Sequence, residues 1–473
     1  MNFRLSYLYI AISFVLIAAI PILVTFDGIK YVALIFASGA FFFLIFGDPK
    51  NFILLFIFTF CSDRWFHYPL RIQLITFSSY LLILYFLLNY NTSFFNSLKL
   101  PRALKFSSFF LIAAVLVSSF ISRFASVQSV YLGYFFFQLM FTSYVIFRII
   151  KNKDDIFRYL NYFVGVIFFS GVIVLIQIIL TGKIRSVGFM GFPIMDLLVM
   201  GLIIMIFGYY ILGKPSMKTH IVIFVLVSAT ITTQSRFAWL GLIISTIYGL
   251  ILCVIKEPNI TGVFKKQLGF FFASIVIVAI LVFVFGFDKL IIARFSDLNG
   301  GELFKGAADG NLVSNSLESR ILIWITAYKT FLANKWTGVG YLMFNYVSYA
   351  YNILPEEMYI SYVMDLDAHT TYFNFLTETG IIGFSAFMFY LILIFKYSFK
   401  SINFSETEIE RKISIILNVL VFFVVEHSIY SGAFTFGTNA YSMHFIFALT
   451  MANYLMLKNR NSSKEKILLK RSY

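Results

Sequence analysis

Residues 157–180 read FRYLNYFVGVIFFSGVIVLIQIIL, a run whose one charge, Arg158, stands at its start. Wound as a helix at about 1.5 Å per residue, the run is about 36 Å long, enough to cross the hydrocarbon of a bilayer. A soluble surface helix would carry a polar face, and this one has none. The signature recurs. Mostly apolar windows fall near 6–26, 29–46, 51–66, 72–89, 103–121, 127–148, 157–180 and 195–213, then near 219–234, 236–255, 268–287, 378–398, 413–428 and 438–457. The first window follows Arg4 and reads as an uncleaved anchor rather than a signal peptide. Over the 473 residues, 60% are hydrophobic and 12% are charged. A soluble domain carries about twice that charged fraction. A cytosolic enzyme, a disordered chain and a nucleic-acid-binding module are excluded. The expected fold is an all-α polytopic integral membrane protein with about 12–14 transmembrane helices.

The net charge of +15 comes from 37 Lys+Arg against 22 Asp+Glu and belongs with the bilayer rather than with nucleic acid. Short basic loops follow the fourth window (Lys99, Arg102, Lys105) and the sixth (Arg148, Lys151, Lys153, Arg158). Others follow the eighth (Lys214, Lys218), the tenth (Lys256, Lys265, Lys266) and the twelfth (Lys396, Lys400, Arg411, Lys412). All come after even-numbered spans, which puts both termini in the cytoplasm of a multi-pass protein. Cys61 and Cys253 sit in apolar runs far apart and build neither a disulfide framework nor a thiolate metal site.

Residues 288–377 contain no span and fall on the non-cytoplasmic side. A structureless connector of that length is rare unless it is functional. Within it, Leu317, Ile321, Trp324, Ile325, Tyr328, Phe331 and Leu332 recur at helical spacing, as in an amphipathic helix at a membrane surface. The chain divides into N-terminal transmembrane helices (1–184), transmembrane helices with arginine-bearing outer loops (185–287), the large outer loop (288–377), C-terminal transmembrane helices (378–457) and a basic cytoplasmic tail (458–473).

Basic residues on the outer side need a reason. Arg64, Arg71, Arg123, Arg185, Arg236, Arg294 and Arg320 all fall there. Singly, each is explained by an acid or a lipid head group at the interface. As a set they match an anionic, lipid-linked ligand, because the guanidinium fork pairs with phosphate. Arg236 lies in Thr233-Gln234-Ser235-Arg236-Phe237-Ala238-Trp239-Leu240-Gly241, where two apolar runs meet, and a charge there is costly without a polar cavity or a partner. Arg320 precedes Trp324 by one helical turn, so the two share a face, and Glu318 offers an ordinary ion-pair partner. His369 ends the loop in Asp365-Leu366-Asp367-Ala368-His369-Thr370. Most lone histidines are structural, but a neutral imidazole in this position can take a proton from a sugar hydroxyl, with Asp365 or Asp367 to orient it. The first outer loop offers only Asp27, too few oxygen ligands for a hard cation, and Asp365 with Asp367 is a weak pair. No cofactor is expected.

Four stretches together resemble the bacterial O-antigen ligase and O-antigen polymerase superfamily of membrane glycosyltransferases. They are Ser235-Arg236-x-Ala238-Trp239-Leu240-Gly241; Arg320-x3-Trp324-x2-Ala327 continuing to Gly338-Val339-Gly340 and Phe344; His369-x10-Gly380-x2-Gly383; and Arg185-x2-Gly188-x3-Phe192-Pro193. In the last, Ile194 replaces the Asn that relatives often carry, and Thr370 stands where Asn or another amide or hydroxyl residue is common. The resemblance covers about 185–400 and implies a GT-C-like helical fold in the bacterial inner membrane, with a periplasmic active site. It implies metal-free transfer of a glycan from undecaprenyl pyrophosphate. Arg236 and Arg320, and less directly Arg185, would hold the pyrophosphate, and His369 would be the catalytic base. The acceptor is a lipid-linked repeat unit in a polymerase, the lipid A core in a ligase, or a protein in a related oligosaccharyltransferase. A chain-length regulator and membrane lipids are the other partners it allows. Polymerase is the favoured reading, because the Phe- and Tyr-rich, Trp-poor composition resembles the divergent polymerases, whereas the His369 motif fits ligases. A transporter of lipid-linked sugars is the competing class, but paired broken helices in two related halves are absent from the sequence.

Overall fold

The computed structural model describes residues 49–70, 74–89, 95–181, 194–213, 215–233, 235–256, 316–364, 366–432 and 437–471. The windows near 6–26, 29–46 and 268–287 lie outside these, as do Arg185, Arg294 and Asp365. Among the described residues all regular structure is helical: α1 (Pro49–Leu70), α2 (Leu74–Leu88), α3 (Arg102–Ile121), α4 (Val127–Ile149), α5 (Lys153–Thr181) and α6 (Ile194–Met205), which a π turn (Ile206–Ile211) extends. Then come α7 (Met217–Thr232), α8 (Arg236–Lys256), α9 (Ser316–Ala333), α10 (Phe344–Val347), α11 (Glu356–Tyr362), α12 (Thr371–Phe404), α13 (Glu408–His427) and α14 (Gly437–Arg471). Seven of the described helices are long and apolar enough to cross a membrane. The chain is a multi-pass, all-α membrane protein.

Helix starts are written into the sequence. Ser126, Ser216 and Thr407 each accept a bond from the backbone N–H three residues on, and the Ser129, Thr219 and Glu410 side chains each accept one from the backbone N–H of the cap. Each such box satisfies two backbone donors that the helix itself leaves open. α6 is innermost, buried along nearly its whole length between α5, α7, α8 and α13. α12 packs against α3, α13 and α14, with α9 across its head.

The two ends of the bundle differ in charge. At one end Lys153 lies 3.9 Å from Glu410, Arg460 pairs with Glu410, Lys256 donates to Asn403 at 2.9 Å, and the Lys412 amine lies 5.3 Å from the Tyr209 ring centre. These are the basic loops. The opposite end gathers the starts of α6, α8, α12 and α14 with the ends of α7 and α13.

The helix read from about 378 begins earlier, at Thr371. Its first turns bury Thr371, Asn374, Thr377 and Glu378, polar residues that lower the hydropathy of the segment while still packing inside it. At Gly380 the backbone leaves helical geometry (φ 64°, ψ −171°). The carbonyls freed at Thr377 and Glu378 accept from Val339 N–H at 3.2 Å and Gly340 N–H at 2.9 Å, and Ile381 N–H donates to the Lys335 carbonyl at 2.8 Å. Ser118 Oγ adds a bond to the Glu378 carbonyl at 2.5 Å. Gly338 also has positive φ, and a Cβ at Gly338 or Gly380 would overlap the backbone it faces. The two glycine motifs are thus one crossing of two segments. Gly380→Ala is expected to cost about 2–5 kcal/mol, from left-handed strain plus overpacking. Thermal unfolding in detergent checks this, and a loss under about 1 kcal/mol would show that the crossing relaxes freely.

None of the described helices between 316 and 364 is among the seven spans. The helix read at 317–332 is α9, and only part of its periodic apolar set faces the rest of the chain. Ile323, Thr326, Ala327 and Thr330 are buried, whereas Ile325, Tyr328 and Leu332 are exposed. Small residues allow closer helix approach than large ones. Ile323 and Ala327 pack with Phe344, Tyr359, Val363 and Ala368 into a small core separate from the main one.

Candidate functional site

The turn before α12 holds His369. Its backbone takes φ 51°, a left-handed conformation that costs a non-glycine residue about 1–3 kcal/mol unless its surroundings enforce it. Here they do. Asp367 Oδ1 accepts from His369 N–H at 3.2 Å and lies 2.6 Å from His369 Nδ1. One turn into α12, buried Asn374 accepts from Ala368 N–H at 2.8 Å and donates to Asp367 Oδ2 at 3.3 Å. The Thr370 hydroxyl caps the helix by accepting from Phe373 N–H at 3.5 Å. Burial works to raise the Asp367 carboxyl. The bond and charge of His369 and the Asn374 amide outweigh it and hold Asp367 below the usual carboxylate range. A proton held on Nδ1 by this carboxylate leaves the lone pair of a neutral imidazole on Nε2. Of the two acids considered from sequence, Asp367 is therefore the described partner of His369.

The loop after α13 closes over this turn. Thr371 N–H donates to the Ser428 and Ser431 carbonyls at 3.0 and 2.9 Å, and Thr371 Oγ1 donates to the Ser431 carbonyl at 2.8 Å. Gly432 sits so near Asp367 and Asn374 that a Cβ there would overlap the Asp367 carboxylate.

The same loop receives Arg320. Its Nη1 donates to the Tyr430 carbonyl at 2.5 Å, and its guanidinium carbon stands 4.1 Å over the Phe237 ring centre. Phe237 in turn stacks on the Tyr430 ring at 5.1 Å. One turn along α9, Trp324 Nε1 donates to the Ala368 carbonyl at 3.0 Å, and its ring stacks on Phe373 at 6.1 Å. The Arg320–Trp324 face thus holds α9 against both the His369 turn and the 428–432 loop.

Arg236 opens α8, next to Phe237; its backbone is described and its side chain is not. Neighbouring Cα atoms are about 3.8 Å apart, so the Arg236 backbone adjoins that of Phe237, whose ring lies under Arg320. The rest of its motif is structural. Ser235 Oγ accepts from Ala238 N–H at 3.3 Å, Ala238 is fully buried, and Trp239 Nε1 donates to the Thr230 carbonyl at 3.0 Å. Sequence reasoning missed Asn374, Tyr430 and Gly432. Asn374 carried a signal, standing at helical spacing after a capping Thr; the loop residues carried none. Among the described residues, no three His, Cys, Asp or Glu side chains are grouped to hold a metal ion.

A charged guanidinium and an imidazole oriented by a carboxylate, joined through one loop, can stabilise a departing phosphate and accept a proton. Residues 221–388 match the family model described as O-antigen ligase. The match starts within α7 and ends within α12, so it takes in Arg236, Arg320 and His369 but not Arg185. No curated protein matches the chain.

Proposed function

We propose, for a chain that belongs through residues 221–388 to the O-antigen ligase and polymerase superfamily, that it transfers a glycan from undecaprenyl pyrophosphate to a hydroxyl acceptor. The observation that carries this reading is the 428–432 loop, which binds Arg320 through the Tyr430 carbonyl and covers the Asp367–His369 pair. His369 Nε2 takes the proton of the acceptor hydroxyl. The oxygen attacks the anomeric carbon, the bond from that carbon to the pyrophosphate oxygen breaks, and the leaving group departs as undecaprenyl pyrophosphate. Arg320 and Arg236, with Arg185 as a third candidate, stabilise the charge that grows on it. This assigns the leaving-group role to guanidinium groups, without a metal. Undiminished turnover in EDTA is the expected result.

The active site faces the periplasm of the inner membrane, and both termini are cytoplasmic. The separation of the basic loops from the His369 end of the bundle supports this orientation. The described residues 316–364 then roof the site. The first choice of acceptor is a second lipid-linked repeat unit, on the strength of 61 Phe and 29 Tyr against 4 Trp. The ligase reading, with the lipid A core as acceptor, is favoured by the His369 motif.

Purified protein given undecaprenyl-pyrophosphate repeat units, with and without lipid A core, separates these. A ladder of products without core means polymerase, and transfer only with core means ligase. If no range of repeat units gives either product, glycan transfer is wrong and the transporter reading replaces it.

A further inference from the structure

Asp196 stands in the first turn of α6, a helix otherwise made of apolar residues and Gly201. Its Oδ1 lies 2.7 Å from His427 Nε2, and its Oδ2 accepts from Asn439 Nδ2 at 2.6 Å. Asp196 is 6% exposed and His427 2%. An acid buried at the head of a membrane helix is expensive, and such residues commonly have a task. Nothing in the proposed transfer step uses this pair.

What lies against it gives the task. The His427 ring stacks on Phe423 at 5.0 Å and meets the Tyr430 ring edge-on at 5.0 Å. Gly241 admits this packing, since a Cβ there would stand 2.9 Å from the Phe423 ring and 3.3 Å from His427 Nδ1. Tyr430 donates its hydroxyl to Glu426, stacks on Phe237 and offers its carbonyl to Arg320. Phe237 lies under the Arg320 guanidinium. A continuous line of contacts therefore runs from Asp196 through His427 and Tyr430 to Arg320. It ties the start of α6, the end of α13 and the start of α14 to one cation.

We propose that Asp196 and His427 are positioning residues, which fix the Tyr430 turn and so hold Arg320 where it meets the substrate pyrophosphate. The inference rests on the reading of Arg320 as a pyrophosphate ligand. Asp196 itself touches no substrate. Its carboxylate supplies two acceptors to two donors on different helices, and an amide cannot do the same because one of its two atoms donates.

Binding of undecaprenyl pyrophosphate to the purified full-length chain tests it, alongside KM and kcat. Asp196→Asn and Phe237→Leu are each expected to weaken binding by about tenfold, with KM rising more than kcat falls. Phe237→Leu keeps the apolar bulk and touches no buried polar group, so it tests the line even where Asp196→Asn fails to reach the membrane. The deciding readout is the Arg320→Ala background. A positioning role makes the second substitution nearly silent there, because the group being positioned is gone. Equal weakening in both backgrounds, or wild-type binding by Phe237→Leu, overturns the inference. Wild-type binding by Arg320→Ala alone overturns the pyrophosphate reading instead.

Discussion

Replacing His369 by alanine is expected to lower turnover by about 10²–10⁴-fold while leaving donor binding within about threefold of wild type. The size follows from removing a proton acceptor from the transition state while the groups assigned to the pyrophosphate stay in place. Asp367→Asn should show a smaller version of the effect, about 10–100-fold, because the imidazole remains but loses the anion that fixes its tautomer. Asp367 is held below the ordinary carboxylate value, so it stays ionised through mild acid. A group of that kind stabilises the fold above its unfolded pKa and loses that contribution only as pH falls through its lower folded value. Protonation of Asp367 therefore does not limit the rate in mild acid, where the carboxylate that orients the imidazole is retained. Single-turnover assays on purified protein provide the measurement. Activity of His369→Ala above about a tenth of wild type would remove it as the base.

The sequence carried the components of this site more clearly than their assembly. Arg320 and Trp324 were legible as one helical face because four residues make about one turn. What that face meets was not, since the Tyr430 and Ala368 carbonyls are 110 and 44 residues away. Asp365 and Asp367 could not be told apart from spacing. The choice depends on the left-handed backbone of His369, which local sequence does not demand. Gly338, Gly340 and Gly380 were visible as motifs, yet their purpose is a backbone crossing that only a folded chain brings together. Among the described residues, seven spans were legible because polar side chains largely stay out of the helix. The start of α12 was misread because Thr371, Asn374, Thr377 and Glu378 are polar and buried together. The face by which α9 docks carried no signal in its periodicity: close packing selected Ile323, Thr326, Ala327 and Thr330, while Ile325, Tyr328 and Leu332 face outward. Asp196 and His427 are the strongest case, two ionisable residues in apolar runs whose partnership joins positions far apart in the chain.

Arg320→Ala should lower kcat/KM by about 10²–10³-fold, the scale for removing one preorganised donor from a site of developing charge. Arg320→Lys should recover little of it. The guanidinium carbon stands over the Phe237 ring with one N–H on the Tyr430 carbonyl, and an ammonium on a flexible stem offers neither the same delocalised face nor the bidentate fork. Failure of the lysine variant therefore reports on geometry, because the charge is retained. The contrast with His369→Ala is diagnostic. Loss of the base should fall on kcat alone, whereas loss of Arg320 should raise the dissociation constant for undecaprenyl pyrophosphate as well, since ground state and transition state both carry the phosphates. Trp324 and its bond to the Ala368 carbonyl stay in place in both Arg320 variants, so α9 remains docked and a collapse of the roof is not the expected cause. Full recovery of kcat/KM in Arg320→Lys would mean that simple positive charge suffices, and the aromatic platform beneath residue 320 would then have no catalytic consequence.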